Sequence, residues 1–151
     1  MQFTKIIASA ITIGAAMAIT GDLTYYNAGM GACGKMVNEG DYACAIGHKM
    51  YEAATNGGNP NNNPYCGKQI RAKMPSTGKT VTVTVVDSCG GCADNDLDFT
   101  GGAWNDLTNG AAPTRYHDLE WDWILTRPLH TFTALTIHLV FVWPIEATWH
   151  G

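Results

Sequence analysis

The amino-acid sequence predicts an all-β domain, a barrel or sandwich of short strands joined by glycine-rich loops. Residues 80–86 alternate threonine with valine, which places Val81, Val83 and Val85 on one face of a strand. Other β-prone segments recur along the chain, and clusters of turn-forming residues separate them. With 151 residues the chain is long enough for one domain, so we expect a single barrel or sandwich.

The predicted elements follow one another between residues 23 and 124. Residues 56–64 contain five Asn, two Gly and two Pro, and are therefore expected to form a surface loop. In the last predicted strand, alternation places Leu119, Trp121 and Trp123 on one face, where large aromatic side chains are typical of a small core. Strands are expected at residues 23–26, 41–46, 66–74, 80–86 and 115–124, and short helices at residues 48–53 and 102–108.

The N-terminus is typical of a secretory signal peptide. Lys5 supplies a positive charge, residues 6–18 form an uncharged and largely apolar run, and residues 16–18 match the small-x-small cleavage pattern. A buried first helix is the alternative, but the run has no polar face to present to water. It is also too short to span a bilayer about 30 Å thick. We therefore expect residues 1–18 to be removed and the mature protein, which begins near Ile19, to be secreted.

Five cysteines would then enter an oxidising compartment, where disulfides persist. An odd number leaves at least one thiol unpaired, and Cys44 is our candidate because it lies in an apolar stretch, residues 42–46. The Cys-Gly-Gly-Cys motif of residues 89–92 is also compatible with a redox or a zinc site. A redox motif of this type requires a βαβ context, and a zinc site requires another Cys/His pair; the sequence shows neither. The disulfide candidates, which allow three pairings, are Cys33, Cys66, Cys89 and Cys92.

The charge distribution excludes one class of partner. The formal net charge is −4, charged residues make up 15% of the chain, and acidic and basic residues are interspersed. Such a surface has no basic face that could neutralise phosphates, so we expect no nucleic-acid partner. We also expect no cofactor, no membrane association once the signal peptide is removed, and a monomer.

Several motifs, in their order along the chain, resemble the RlpA-like and expansin-like family. They are the Thr-Tyr-Tyr of residues 24–26, the Gly-Ala-Cys-Gly of residues 31–34, the asparagine-rich segment 59–68, the strand end and CxxC of residues 83–92, and the Asp-Leu-Asp-Phe-Thr of residues 96–100. Loosenins, barwin-like proteins and small papain inhibitors share the double-psi β-barrel of this family. The resemblance implies an all-β fold for residues 19–124, a single six-stranded double-psi β-barrel with short helices, long loops and a groove across one side.

Acidic residues gather after the alternating strand. Asp87 ends an otherwise apolar segment, where an unpaired carboxylate is costly to bury, so it should be hydrogen-bonded or lie at the mouth of a pocket. Asp94, Asp96 and Asp98 recur at every second position and open a calcium-loop pattern. The pattern then fails, because phenylalanine stands where glycine is required and asparagine where the bidentate glutamate is required. No metal site is expected.

The resemblance implies candidate catalytic residues. Asp87 and Asp98 match the two aspartates of the expansin groove, and Asp98 also matches the general acid of related family-45 endoglucanases. The base of those hydrolases lies just after a Thr-x-Tyr, but residues 24–28 here contain no carboxylate, which argues against ordinary inverting hydrolysis. His48 and Asp87 match the histidine and aspartate of the RlpA lytic transglycosylases, a pairing that requires both side chains to converge on one space.

Aromatic side chains suit a sugar-binding groove, because their faces can stack on sugar rings. Tyr25 and Tyr26 point to opposite faces of an extended strand, so we expect at most one of them to face the groove. The candidate substrate-binding residues are Thr24, Tyr25, Tyr26 and Trp104.

Three functions follow as hypotheses. We favour a secreted expansin- or loosenin-like protein that binds and loosens cell-wall polysaccharide without hydrolysis. The first alternative is a glycan-cleaving lyase or glycosidase, either a lytic transglycosylase or an endoglucanase-like enzyme. The second is a barwin-like or papain-inhibitor-like protease inhibitor or effector. The expected partner is accordingly an extracellular polysaccharide or a secreted protease.

Residues 125–151 depart from the family resemblance. They contain an apolar run, residues 135–143, that is interrupted by His138 and is too short to span a membrane. The segment is compatible with an added strand, an interaction tail or the translation of a non-coding segment, and we favour the last. An exposed run of this kind would promote aggregation unless it packs on the barrel.

Overall fold

The computed structural model describes residues 18–125. The predicted signal peptide up to residue 17 and the C-terminal extension beyond residue 125 lie outside the described residues. The described part contains six strands, two α-helices and one 3-10 turn, Pro60–Asn62. The elements are β1 Ile19–Tyr25, β2 Ala43–Gly47, α1 His48–Thr55, β3 Gln69–Met74, β4 Lys79–Cys89, β5 Leu97–Phe99, α2 Gly101–Thr108 and β6 Tyr116–Trp123.

The six strands close into a barrel in the order β1-β5-β2-β4-β3-β6. The sheet is mixed, because β1 and β5 are parallel, as are β2 and β4, whereas the other neighbours are antiparallel. Closure leaves no unpaired strand edge around the barrel. The all-β prediction is confirmed, and the architecture is the barrel rather than the sandwich.

Strand β4 carries the alternation that the sequence displays. Val81, Val83 and Val85 are buried, whereas Thr80 and Thr82 are exposed on the outside of the barrel. The strand continues beyond the alternating segment to Cys89, and this extension brings its acidic end to the rim of the barrel. Strand β5 has only three residues, and the sequence does not predict it as a strand.

Tryptophan side chains occupy the centre of the core. Trp121 on β6 is 2% exposed, as its place in the alternating strand predicts, and its indole Nε1 donates to the Asn95 carbonyl at 2.8 Å. Trp104 on α2 is 1% exposed and donates in the same way to the Ala111 carbonyl at 2.8 Å. Both rings therefore bury their apolar surface without leaving an unpaired N–H.

Two disulfides and one buried thiol account for the five cysteines. Cys33 pairs with Cys66 and Cys89 with Cys92, which selects one of the three pairings that the sequence allows. Cys44 is unpaired and fully buried in β2, and burial raises the pKa of its thiol. The prediction that Cys44 is the unpaired cysteine is confirmed.

Neither helix within the described residues is long and apolar enough to cross a membrane.

Candidate functional site

A cleft of about 400 Å³ opens on the barrel where the ends of β1 and β4 meet the middle of β5. Its lining combines two carboxylates, two tyrosines, one arginine and a disulfide. The lining residues are Thr24, Tyr25, Tyr26, Ala45, Asp87, Ser88, Cys89, Gly90, Gly91, Cys92, Asp98 and Arg115.

Strand register brings the two cleft carboxylates level with each other. Ala45 on β2 lies opposite Asp98 on β5 and opposite Asp87 on β4. The acids are thus two strands apart, roughly 10 Å between their Cα atoms at the usual strand spacing. The small side chain of Ala45 between them leaves the floor of the cleft open. A register shift between Cys44 and Ala45 creates this alignment, since an unbroken ladder would place Val86 opposite Ala45.

Asp98 lies half-buried in the cleft, and its Oδ1 is buried without a hydrogen-bond partner among the described residues. Burial raises the pKa of this carboxyl above its usual range. The Thr24 hydroxyl and the Arg115 guanidinium act in the opposite direction, while the charge of Asp87 raises the pKa further. Asp98 therefore takes up a proton more readily than an exposed aspartate does.

Asp87 is anchored by backbone groups. Its Oδ1 accepts from the N–H of Ala32 and from the N–H of Ser88, both at 2.8 Å. Ala32 can approach because Gly31 precedes it, and a Cβ on Gly31 would lie 2.3 Å from the Val86 carbonyl oxygen. Asp87 is thus both hydrogen-bonded and placed at the cleft, which are the two environments that the sequence predicts as alternatives.

Both tyrosines of the first strand line the cleft, and the expectation that at most one would do so is wrong. Strand β1 ends at Tyr25, so the alternation of side chains no longer applies to Tyr26. The Tyr26 hydroxyl is buried without a partner among residues 18–125, and burial followed by the charge of Asp87 raises the pKa of Tyr26. The Tyr25 hydroxyl donates to Glu39 Oε2 at 2.9 Å, and the Ala28 N–H donates to Glu39 Oε1 at 2.6 Å.

Two predicted site residues lie away from the cleft. His48 begins α1, its side chain is half exposed, and its Nδ1 lies 3.9 Å from Glu52 Oε1 on the same helix. It does not line the cleft, so the predicted convergence with Asp87 is wrong. Trp104 does not line the cleft either, because it lies on the buried face of α2 and packs in the core. Trp104 is therefore a core residue beneath the surface rather than part of the cleft lining.

Arg115 is a cleft residue that the sequence does not indicate. Its Nη1 donates to Asp22 Oδ2 at 3.0 Å and to Asp96 Oδ2 at 3.3 Å. Asp96 is buried and also accepts from the N–H of Asp22 and of Ala93. Asp96 and Asp98 thus have separate environments, since Asp96 pairs with Arg115 and Asp98 lines the cleft. Nothing in the sequence around Arg115 marks it, because its partners come from distant segments.

The disulfide Cys89–Cys92 forms one wall of the cleft. It closes a loop that contains only Gly90 and Gly91. Sulfur atoms of the two cysteines and a carboxylate oxygen of Asp98 lie within 4.8 Å of one another. In this oxidised state the sulfurs are bonded to each other and are therefore not thiolate ligands for a metal.

Comparison with known proteins identifies the type of barrel. No protein-family model matches the chain. The structure of the Streptomyces papain inhibitor superposes with a TM-score of 0.58 and 28% sequence identity, and the match covers 77% of this chain and 100% of the inhibitor. The chain is a double-psi β-barrel protein.

Two further proteins are similar to this chain. An expansin of Clavibacter michiganensis, a mutant solved in complex with cellohexaose, matches with a TM-score of 0.52 and 23% identity. That match covers 74% of this chain and 52% of the expansin, and it supports the fold. The allergen Asp f 7 homolog of Arthroderma benhamiae is 37% identical over 118 residues, which are 70% of this chain. The chain spans only 38% of the length of that relative.

Proposed function

We propose that the cleft of this double-psi β-barrel binds a segment of an extracellular polysaccharide without cleaving it. One observation carries the proposal. Three buried polar atoms without a partner among the described residues, Tyr26 Oη, Ser88 Oγ and Asp98 Oδ1, all belong to residues that line this cleft. An unpaired buried polar group costs about 1–3 kcal/mol. A ligand rich in hydroxyl groups, which both donate and accept, suits such a surface.

The arrangement of acids supports binding rather than hydrolysis. The carboxylates that line the cleft are Asp87 and Asp98, and Asp87 is held by two backbone N–H groups. Glu39 reaches the end of β1, near the position where related hydrolases carry their base. Its oxygens are engaged by the Tyr25 hydroxyl and the Ala28 N–H, and Glu39 does not line the cleft. Among residues 18–125, Asp87 is the one other carboxylate that lines the cleft, and two backbone N–H groups hold its Oδ1 in place, which favours a fixed binding group over a hydrolytic partner of Asp98.

Binding outside the cell is consistent with the cysteine chemistry. Two disulfides link four of the five cysteines, and such bonds persist in oxidising compartments. The predicted signal peptide would bring the protein there. The expansin that matches this fold was solved with cellohexaose, an oligosaccharide, which supports a linear glycan as the class of ligand.

A pull-down with insoluble polysaccharides tests the proposal. The purified protein is mixed with cellulose, β-glucan, chitin and peptidoglycan, and bound protein and released soluble sugar are both measured. We expect binding to at least one polymer and no product release. Asp98→Asn should weaken binding roughly tenfold or more, because it removes a charged hydrogen-bond acceptor.

Asp94→Asn is the matched control, since it removes the same charge from an exposed residue outside the cleft. It should bind like the wild type. Binding to none of the polymers would contradict the proposal. Turnover by the wild type that disappears in Asp98→Asn would replace it with an enzyme.

A protease inhibitor is the second candidate, and one observation favours it. The match to the Streptomyces papain inhibitor covers that protein over its whole length at 28% identity. A titration of papain activity with the purified protein tests this candidate. Loss of activity at near-stoichiometric protein supports it, and unchanged activity at large excess of protein excludes it.

A further inference from the structure

The wall of the cleft carries a disulfide that the proposed function does not use. Cys89 and Cys92 are both partly exposed, and Thr24 Oγ1 lies 4.0 Å from Cys92 Sγ. The carboxylate of Asp98 faces the same sulfurs within 4.8 Å. Three donor atoms of the kind that bind metals are therefore already close together, although the two sulfurs are oxidised.

The two disulfides differ in their access to a reductant. Cys33 is 7% exposed and lies against the Tyr51 hydroxyl, and only its partner Cys66 is partly exposed, whereas Cys89 and Cys92 are both partly exposed and line an open cleft. Thiol–disulfide exchange requires a thiolate to reach a sulfur atom, so access favours attack on the cleft disulfide. The loop that this disulfide closes is also short, which limits its contribution to stability. The cleft disulfide should be reduced first, while Cys33–Cys66 remains intact.

We propose that reduction of Cys89–Cys92 turns this wall of the cleft into a site for one thiophilic divalent cation such as Zn²⁺, held by both thiolates and by the carboxylate of Asp98. A dithiol reductant supplies two electrons and two protons, its own sulfurs become a disulfide, and Cys89 and Cys92 become thiols. Binding of the cation then releases the two thiol protons to solvent.

The chemistry of the donor set fits this assignment. Thiolates select soft and borderline cations, and a carboxylate completes three protein ligands of a zinc site with one position left open. Asp98 Oδ1 has no hydrogen-bond partner to surrender among the described residues. The neighbouring cation, Arg115, is already paired with Asp22 and Asp96. Because the ion would engage Asp98, it would also compete with a glycan in the cleft.

The test uses Cd²⁺ as a spectroscopic probe for Zn²⁺, because cadmium–thiolate bonds have an ultraviolet charge-transfer band. The protein is treated with a graded amount of dithiol, alkylated and mapped by mass spectrometry, and a parallel sample is titrated with Cd²⁺. We expect alkylation of Cys89 and Cys92 alone, one Cd²⁺ per reduced chain, and no band for the oxidised protein. Circular dichroism confirms that the reduced barrel stays folded.

Variants separate this site from adventitious binding by thiols. Asp98→Asn should weaken Cd²⁺ binding by about tenfold or more, in the range typical for altered metal sites, whereas the control Asp94→Asn should not. Cys92→Ser, which removes one ligand and needs no reduction, should bind far more weakly than the reduced wild type. Equal affinity of the Asp98→Asn and Asp94→Asn variants, or simultaneous reduction of both disulfides, would overturn the proposal. Neither readout involves a polysaccharide, so this test fails or succeeds independently of the proposed function.

Discussion

The two disulfides should contribute unequally to stability, and loop length sets the difference. They join cysteines separated by 33 and by 3 positions. In the chain-entropy model, the long loop of Cys33–Cys66 corresponds to about 3.7 kcal/mol and the short loop of Cys89–Cys92 to about 1.6 kcal/mol. The perturbations are the double substitutions Cys33→Ala/Cys66→Ala and Cys89→Ala/Cys92→Ala, and the first should cost about 2 kcal/mol more.

Urea unfolding followed by tryptophan fluorescence measures this difference, because Trp104 and Trp121 report on the core. The free energy of unfolding in water is extrapolated for the wild type and both variants, with the slope checked for two-state behaviour. Burial of Cys33 adds a packing loss to the first variant and acts in the same direction. Equal losses, or a larger loss for Cys89→Ala/Cys92→Ala, would refute the loop-length argument.

Three further predictions concern the cleft and its supporting loop. Burial raises the pKa of Asp98, so the folded protein binds a proton on this carboxyl more tightly than the unfolded chain does. The stability that results is present in acid and is lost as pH rises through the folded-state pKa. Urea unfolding should therefore show Asp98→Asn gaining stability relative to the wild type between acidic and neutral pH, and a constant difference would contradict this. Tyr26→Phe removes a buried hydroxyl without a partner among the described residues, so urea unfolding should show an unchanged free energy of unfolding or a gain of about 1 kcal/mol. Pull-downs should show weaker polysaccharide binding. A clear loss of stability would contradict the unpaired state of this hydroxyl. Gly31→Ala places a Cβ 2.3 Å from the Val86 carbonyl oxygen and should destabilise the barrel by about 1–3 kcal/mol, whereas Gly29→Ala, with open space around its Cβ, should not; equal unfolding midpoints would contradict the close approach.

The cleft can be described as a rigid barrel rim with a few groups left unpaired. Asp87 and Tyr25 are fixed by hydrogen bonds, whereas Tyr26 and Asp98 each keep a polar atom without a partner among the described residues. Fixed groups preserve the shape of the site, and unpaired groups supply the interaction energy that a ligand gains. This division is what the proposed binding of a ligand in the cleft requires.

Local patterns in the sequence determine a large part of the fold. The alternation of residues 80–86 predicts the buried face of β4, and the alternation around Trp121 predicts that this ring enters the core. The odd number of cysteines and the apolar neighbours of Cys44 identify the unpaired thiol. These predictions succeed because each depends on residues that are near one another in the chain, where periodicity and composition carry the physical information.

The site depends on relations that only the tertiary structure decides. The alternation along β4 predicts which face Asp87 lies on. Only the register shift beside Ala45, which the sequence does not show, brings Asp87 level with Asp98. Arg115 meets Asp22, 93 positions away, only because the barrel closes. His48 begins α1 with a half-exposed side chain and does not line the cleft that holds Asp87. Strand register and barrel closure are set by the sum of many contacts between distant residues, and no single segment of the sequence encodes that sum.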